Sequence, residues 1–135
     1  MKKYLVIGNP IDHSLSPKLH NYWLKENNIN GTYEKKNVRL DEIKNIITEI
    51  RNKAIFGINV TVPFKKKVIP YLDKLSEEAS ITQSVNTIYL ENNNVVGHNT
   101  DTFGFESSLG NIKFDLKNKK VFILGAGGVV PSIIY

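Results

Sequence analysis

Lys65 and Asp101 have the clearest chemical potential in this chain of 135 residues. A lysine beside an aspartate can exchange a proton with an oxygen while an alcohol and a ketone interconvert. Lys65 closes the run Gly57-Ile58-Asn59-Val60-Thr61-Val62-Pro63-Phe64-Lys65, in which Asn59 and Thr61 lie two apart and so share one strand face. Polar side chains inside an apolar strand need buried partners, which argues against a plain strand edge. Pro63 stops the strand, so Lys65 can project over its C-terminal end, where open α/β sheets bind ligands. Asp101 lies in Gly97-His98-Asn99-Thr100-Asp101-Thr102-Phe103-Gly104 and, taken alone, reads as a helix N-cap. Asn86, in Ser84-Val85-Asn86-Thr87, brings an amide near the same sheet edge. Ser14 and Ser16 follow the first strand; Ser16 reads as a helix cap, which leaves Ser14 without a structural duty. Hydroxyls, amides, one ammonium and one carboxylate on successive sheet-end loops suit a small polyhydroxylated carboxylate, with the serines on its carboxylate and the amides and acid on its hydroxyls.

The elements that carry these residues follow an α/β grammar. Tyr4–Gly8 is a short apolar strand ending in Gly8-Asn9-Pro10. Ser16-Pro17 starts a helix to about Asn27, with Leu19, Tyr22 and Trp23 on one face. Thr32–Val38 reads as a strand, and Asp41 as the cap of a helix with Ile43, Ile46, Ile47 and Ile50 at helical spacing. Ile55–Val62 reads as a buried strand. From Phe64 to about Ser80 the chain reads as helical pieces divided by Pro70. Val85–Leu90 and Val95–His98 form a hairpin about Asn92-Asn93-Asn94, and a helix starts at Asp101. Asn111–Lys119 is a polar connector, Lys120–Leu124 a buried strand, and Gly125-Ala126-Gly127-Gly128 a turn into a helix. A dinucleotide-binding unit needs further strands and helices after such a turn, so the sequence reads as the first half of a longer protein.

Composition removes several alternatives. Apolar residues make up 41% and charged residues 23%, which supports a folded core rather than disorder. There is no cysteine, which excludes a disulfide scaffold, a thiol nucleophile and any cysteine-ligated metal. His13, His20 and His98 are too scattered for a local metal motif, and no metal is expected. No apolar run approaches the roughly 20 residues of a membrane span. The apolar stretch after Lys2-Lys3 is too short for a secretory signal, so a cytoplasmic protein is expected. The net charge of +5 asks for an anionic partner. The lysine clusters are not interleaved with aromatics, so a small anionic ligand is favoured over nucleic acid.

The set Ser14-x-Ser16, Asn59-Val60-Thr61-x-Pro63-x-Lys65, Val85-Asn86-Thr87, Asn99-Thr100-Asp101 and Gly125-Ala126-Gly127-Gly128 resembles shikimate dehydrogenase, in order and spacing, over essentially the whole chain. The resemblance implies an NADPH-dependent oxidoreductase that reversibly reduces 3-dehydroshikimate to shikimate on the way to chorismate and the aromatic amino acids. It implies an open three-layer α/β sheet of mainly parallel strands with helices on both faces, followed by the truncated start of a Rossmann domain. The expected divisions are a substrate-binding catalytic domain over 1–100, a connecting helix and linker over 101–119, and the opening of the dinucleotide-binding domain over 120–135. By matching position, Ser14, Ser16 and Thr61 would hold the substrate carboxylate, Asn86 and Asp101 the ring hydroxyls, and Lys65 with Asp101 would form the acid–base pair. Gly125, Ala126, Gly127, Gly128 and Val129 would approach the NADP pyrophosphate, with Glu77 either a further cofactor contact or a charge in a first helical turn.

Two local departures from the family pattern stand out. Gln83-Ser84 replaces small residues, often Gly-Ala, and Val130-Pro131 follows the glycine turn in place of alanines. The family's NADP-selecting basic motif and a substrate-site glutamine would lie beyond residue 135, so this stretch alone is expected to be inactive. The rivals are a quinate/shikimate dehydrogenase using NAD and a non-catalytic substrate-binding module. The family includes monomers and dimers, so a homodimer of the full-length form is one of two allowed states.

Overall fold

In a computed structural model describing residues 1–135, the chain forms a six-stranded sheet flanked by helices. The strands are β1 (Lys2–Gly8), β2 (Gly31–Asn37), β3 (Gly57–Val60), β4 (Lys74–Leu75), β5 (Thr87–Glu91) and β6 (Asn94–His98). The helices are α1 (Ser16–Glu26), α2 (Ile43–Arg51), α3 (Glu77–Thr82), α4 (Asp101–Asn111) and α5 (Val130–Ile134). The strand order is β2-β1-β3-β5-β6-β4. β1 pairs parallel with β2 and β3, and β6 with β4, whereas β5 pairs antiparallel with both neighbours. β5 is therefore the one reversed strand, and the mainly parallel sheet expected from the sequence is what forms.

Alternation along β1 divides the core into two layers. Leu5 and Ile7 join Ile58, Val60 and Ile88 across the ladder and meet Ile43, Ile46, Ile47 and Ile50 of α2. All four isoleucines are at most 3% exposed. Removing one, as in Ile46→Ala, would cost about 2–5 kcal/mol. Tyr4 and Val6 point the other way, toward Tyr33 and Leu24 of α1. Helices on both faces of one sheet give three layers.

Several local expectations are corrected. The Leu19, Tyr22 and Trp23 face of α1 is about half exposed, at 47, 58 and 48%. From that helix Leu24 packs against the core, as does the His20 ring, stacked on Tyr33. Asp41 does not cap α2: its carboxylate bonds the Arg39 guanidinium at 3.1 and 3.2 Å, while Glu42 accepts from the Arg39 amide at 2.7 Å. β3 is shorter than expected, because the Ala54 and Ile55 amides bond Glu49 at the end of α2 and Phe64 closes a turn onto Thr61. The helical pieces expected over 64–80 reduce to α3 and a 3₁₀ turn at Ile69–Tyr71. Between them β4 adds to the sheet edge, fixed by Asp73 and Ser76 amides bonding Val95 and Gly97. Lys120–Leu124 is neither buried nor a strand: Val121, Phe122 and Leu124 are 66, 86 and 87% exposed, because no strand is present to pair with them. The hairpin turns on Asn92 and Asn93, both left-handed, which matches asparagine at a type I′ bend.

Candidate functional site

The C-terminal ends of β1, β3 and β6 meet the start of reversed β5 at one sheet edge. Gly8 allows the first two loops to touch: a Cβ there would fall 2.7 Å from Thr61 Cγ2 and 2.9 Å from Ile11 Cδ1. Backbone bonds from Asn9 to Val62 and from Thr61 to Ile7, both 3.0 Å, seal that contact. The loop then delivers the two serines, neither of which occupies the cap position, held by Leu15. Ser16 is the first residue of α1 and does not cap it; Ser14 Oγ accepts from the Ser16 amide at 3.3 Å.

Lys65 Nζ lies 2.6 Å from Asp101 Oδ2 across 36 residues, with the two side chains only 12 and 23% exposed. Asp101 is fixed on three sides. Asn86 Nδ2 donates to its Oδ1 at 2.9 Å, and Asn99 Oδ1 accepts from its backbone amide at 2.9 Å. Asn86 also donates to Thr100 Oγ1 at 2.8 Å and accepts from the Thr100 amide and the Thr87 hydroxyl at 3.0 and 3.1 Å. Its amide is thus fully used within the protein. A substrate hydroxyl reaching Asn86 must displace one of these partners, the exposed Thr100 hydroxyl being the accessible one. Lys65, by contrast, has two further N–H donors for a ligand.

Asn59 has the partners its position demands. It donates to Thr87 Oγ1 at 3.1 Å and to the Asn86 carbonyl at 3.2 Å, and it accepts from the Tyr33 hydroxyl at 2.6 Å. Burial raises the Tyr33 phenol well above its usual range, so it stays a donor. Sequence reasoning missed Tyr33, Thr87 and Asn99. Tyr33 carried one weak signal, a polar-tipped aromatic at an inward position of β2.

The glycine turn reaches this edge as well. Gly128 packs on the Lys65 stem, a Cβ there meeting Lys65 Cβ at 3.7 Å, and its carbonyl accepts from Ser84 Oγ at 2.8 Å. Asn99, 1% exposed, donates to Ser132 of α5 and to Thr82 of α3, both at 2.8 Å. Gly125 has φ +118°, which favours glycine, and the space a Cβ would fill at Gly125 and Gly127 is open. That exposed glycine backbone, accessible to a bulky phosphate, fits a nucleotide. Ala126 and Val129 lie in the same exposed stretch. Glu77 is exposed in the first turn of α3 and is not part of the Lys65–Asp101 constellation.

On the other sheet face a groove of about 530 Å³ runs between α1 and β3–β5, lined by Trp23, Tyr33, Phe56 and Tyr89 among others. It meets the polar site at Asn59, Thr87 and Thr100 but does not include Lys65 or Asp101. No group of three or more His, Asp or Glu side chains could hold a metal ion. No helix is long and apolar enough to cross a membrane.

An open α/β sheet with an ion pair and amides converging at its strand ends has the architecture of a ligand-binding α/β domain, whose ligands sit outside the C-terminal ends of the strands. The profile of the shikimate dehydrogenase substrate binding domain matches residues 6–88, and the chain belongs to that family. It is 61% identical over 133 residues to the shikimate dehydrogenase (NADP(+)) of Pelagibacter ubique (strain HTCC1062), covering 98% of this chain and 50% of that protein. The crystal structure of shikimate dehydrogenase 1 from Peptoclostridium difficile superposes with a TM-score of 0.92 at 34% identity, over 99% of this chain and 51% of that one. Shikimate 5-dehydrogenase from Thermus thermophilus, in complex with NADP(H) and shikimate, gives 0.89 at 34% identity, over 98% and 50%. The chain spans about half the length of these relatives.

Proposed function

We propose that this chain supplies the substrate-binding half of an NADP-dependent shikimate dehydrogenase, which reversibly reduces 3-dehydroshikimate to shikimate. The observation that carries the reading is the Lys65–Asp101 pair at 2.6 Å, held by Asn86 at the sheet edge. Reduction of a ketone develops negative charge on its oxygen, which a positioned ammonium stabilises and then protonates. Lys65 has the free donors for that oxygen, and Asp101 orients its ammonium. Asp101 and Asn86 receive the neighbouring ring hydroxyls, the latter by exchange with Thr100. Ser14, Ser16 and Thr61, on the two loops joined through Gly8, take the carboxylate. Gly125, Ala126, Gly127, Gly128 and Val129 would hold the dinucleotide phosphates, and Glu77 is a peripheral candidate. When bound, the nicotinamide supplies the hydride.

In this reading residues 1–100 are the substrate domain, 101–119 the connection and 120–135 the opening of the cofactor-binding part. The protein works in the cytoplasm on a small acid, without nucleic acid or membrane partners. Calorimetric titration of this chain with shikimate tests the reading. Saturable binding that Asp101→Ala weakens, together with NADPH-dependent reduction of 3-dehydroshikimate by the complete gene product, is the expected result. A complete gene product without that activity would sink it.

A further inference from the structure

Tyr33 lies outside the sheet-edge loops, yet it begins an unbroken line of donors that ends at the acid–base pair. Its hydroxyl donates to Asn59 Oδ1 at 2.6 Å. The Asn59 amide nitrogen donates to Thr87 Oγ1, the Thr87 hydroxyl donates to Asn86 Oδ1, and the Asn86 amide nitrogen donates to Asp101 Oδ1. Lys65 bonds the other carboxylate oxygen. Each group is a donor to the next, so each amide is held in one orientation by the group before it together with a backbone partner, the Thr100 amide at Asn86 Oδ1 and the Asn86 carbonyl at Asn59 Nδ2.

Direction matters because amides and hydroxyls can face either way. If the Asn59 amide turned over, Thr87 would donate to Asn59 instead of Asn86, and Asn86 would lose one of the bonds that hold its nitrogen toward Asp101. Both Asn59 N–H groups are already committed, to Thr87 and to the Asn86 carbonyl. Its oxygen must then be matched by a donor, which Tyr33 provides. Tyr33 is itself clamped: Asn21 of α1 bonds its backbone amide and carbonyl at 2.9 and 2.8 Å. Its ring stacks on His20 at 4.1 Å with an interplanar angle of 4°.

We propose that Tyr33 is a positioning residue of the acid–base pair, acting through the amide orientation of Asn59 and then Asn86. The proposal rests on the dehydrogenase reading for its kinetic consequence but not for its structural one. Tyr33→Phe keeps the ring, its stacking and its burial and removes only the hydroxyl. In the complete gene product it should lower kcat about tenfold or more, while KM for shikimate stays within about twofold. In the nitrogen-correlated NMR spectrum, the side-chain amide signals of both Asn59 and Asn86 should shift, and Asn86 should exchange faster with water. Unchanged Asn86 signals overturn the proposal whatever the kinetics, and so does a kcat within twofold of the unmodified protein. If the unmodified protein fails to turn over shikimate, the functional reading falls and the Asn86 signals alone decide the relay. If Tyr33→Phe does not fold, Asn59→Asp, which cannot donate to Thr87, should shift the Asn86 signals in the same way; no shift there overturns the proposal.

Discussion

The Ser84 hydroxyl donates to the Gly128 carbonyl at 2.8 Å, which ties the loop carrying Asn86 to the glycine turn resting on Lys65. The bond spans 44 residues, and Ser84 is 2% exposed. Because the Gly128 side of the bond is open to water, Ser84→Ala should cost only about 0.5–1.5 kcal/mol. Its larger effect should be local: amide hydrogen exchange over residues 127–134 rises while the protection of β1 and β3 is unchanged. Uniform loss of protection would show that the tether carries global stability instead.

Under the proposed function, Lys65→Ala removes the ammonium placed to stabilise the developing oxyanion but leaves Ser14 and Ser16 in place. In the complete gene product kcat should fall about 10²–10⁴-fold with a small change in KM. A matching rise in KM would assign Lys65 to substrate binding.

Gly8→Ala would force a methyl group against Thr61, Ile11 and the Val62 carbonyl, the last at 3.1 Å. Backbone on one side and packed side chains on the other leave little room to yield. Urea unfolding should show a loss of about 1–3 kcal/mol. Shikimate affinity should fall too, because Thr61 and the serine loop are displaced together.

Asp73 links α2 to β6. The Arg51 guanidinium bonds its carboxylate in two places, at 2.9 and 3.0 Å, and the Val95 amide donates at 2.7 Å. The Arg51 bond first, then the Val95 amide, hold its carboxyl below the usual carboxylate range. A depressed folded value means the contribution is present above the unfolded value and lost as pH falls through the folded one. Thermal unfolding below about pH 4 should therefore fall more steeply for the unmodified protein than for Asp73→Asn. Parallel profiles would remove this link from the acid response.

Sequence patterns described the buried parts of this chain better than its exposed ones. The isoleucines of α2 were legible because their helical period and burial coincide. The same period in α1 predicted a covered face that is half exposed, since periodicity reports which residues align and not what covers them. Lys120–Leu124 reads as a strand by composition, yet a strand exists only with a partner. Ser16 does not cap because the helix begins one residue earlier than its proline suggested, which puts Leu15 at the cap position. Gln83 closes α3 at φ 51°, a left-handed position that suits glycine, which accounts for a small residue there and leaves the glutamine without a structural explanation. Lys65 and Asp101 could be named from residue type and loop placement, and the structure brings them together. Tyr33 could not, because its bond to Asn59 joins α1-clamped β2 to β3 across an intervening strand.

The reversed course of β5 gives this domain a natural attachment point. Asn86 and Asp101 lie at opposite ends of one short hairpin's sequence but at the same edge of the sheet, so the bend at Asn92–Asn93 faces away from both. Five residues of strand separate that bend from Asn86, about 17 Å. A fluorophore or affinity handle grafted at the bend would be borne on the strand that carries Asn86 without entering its surroundings. The domain could then be anchored to a surface with its strand-end loops directed outward.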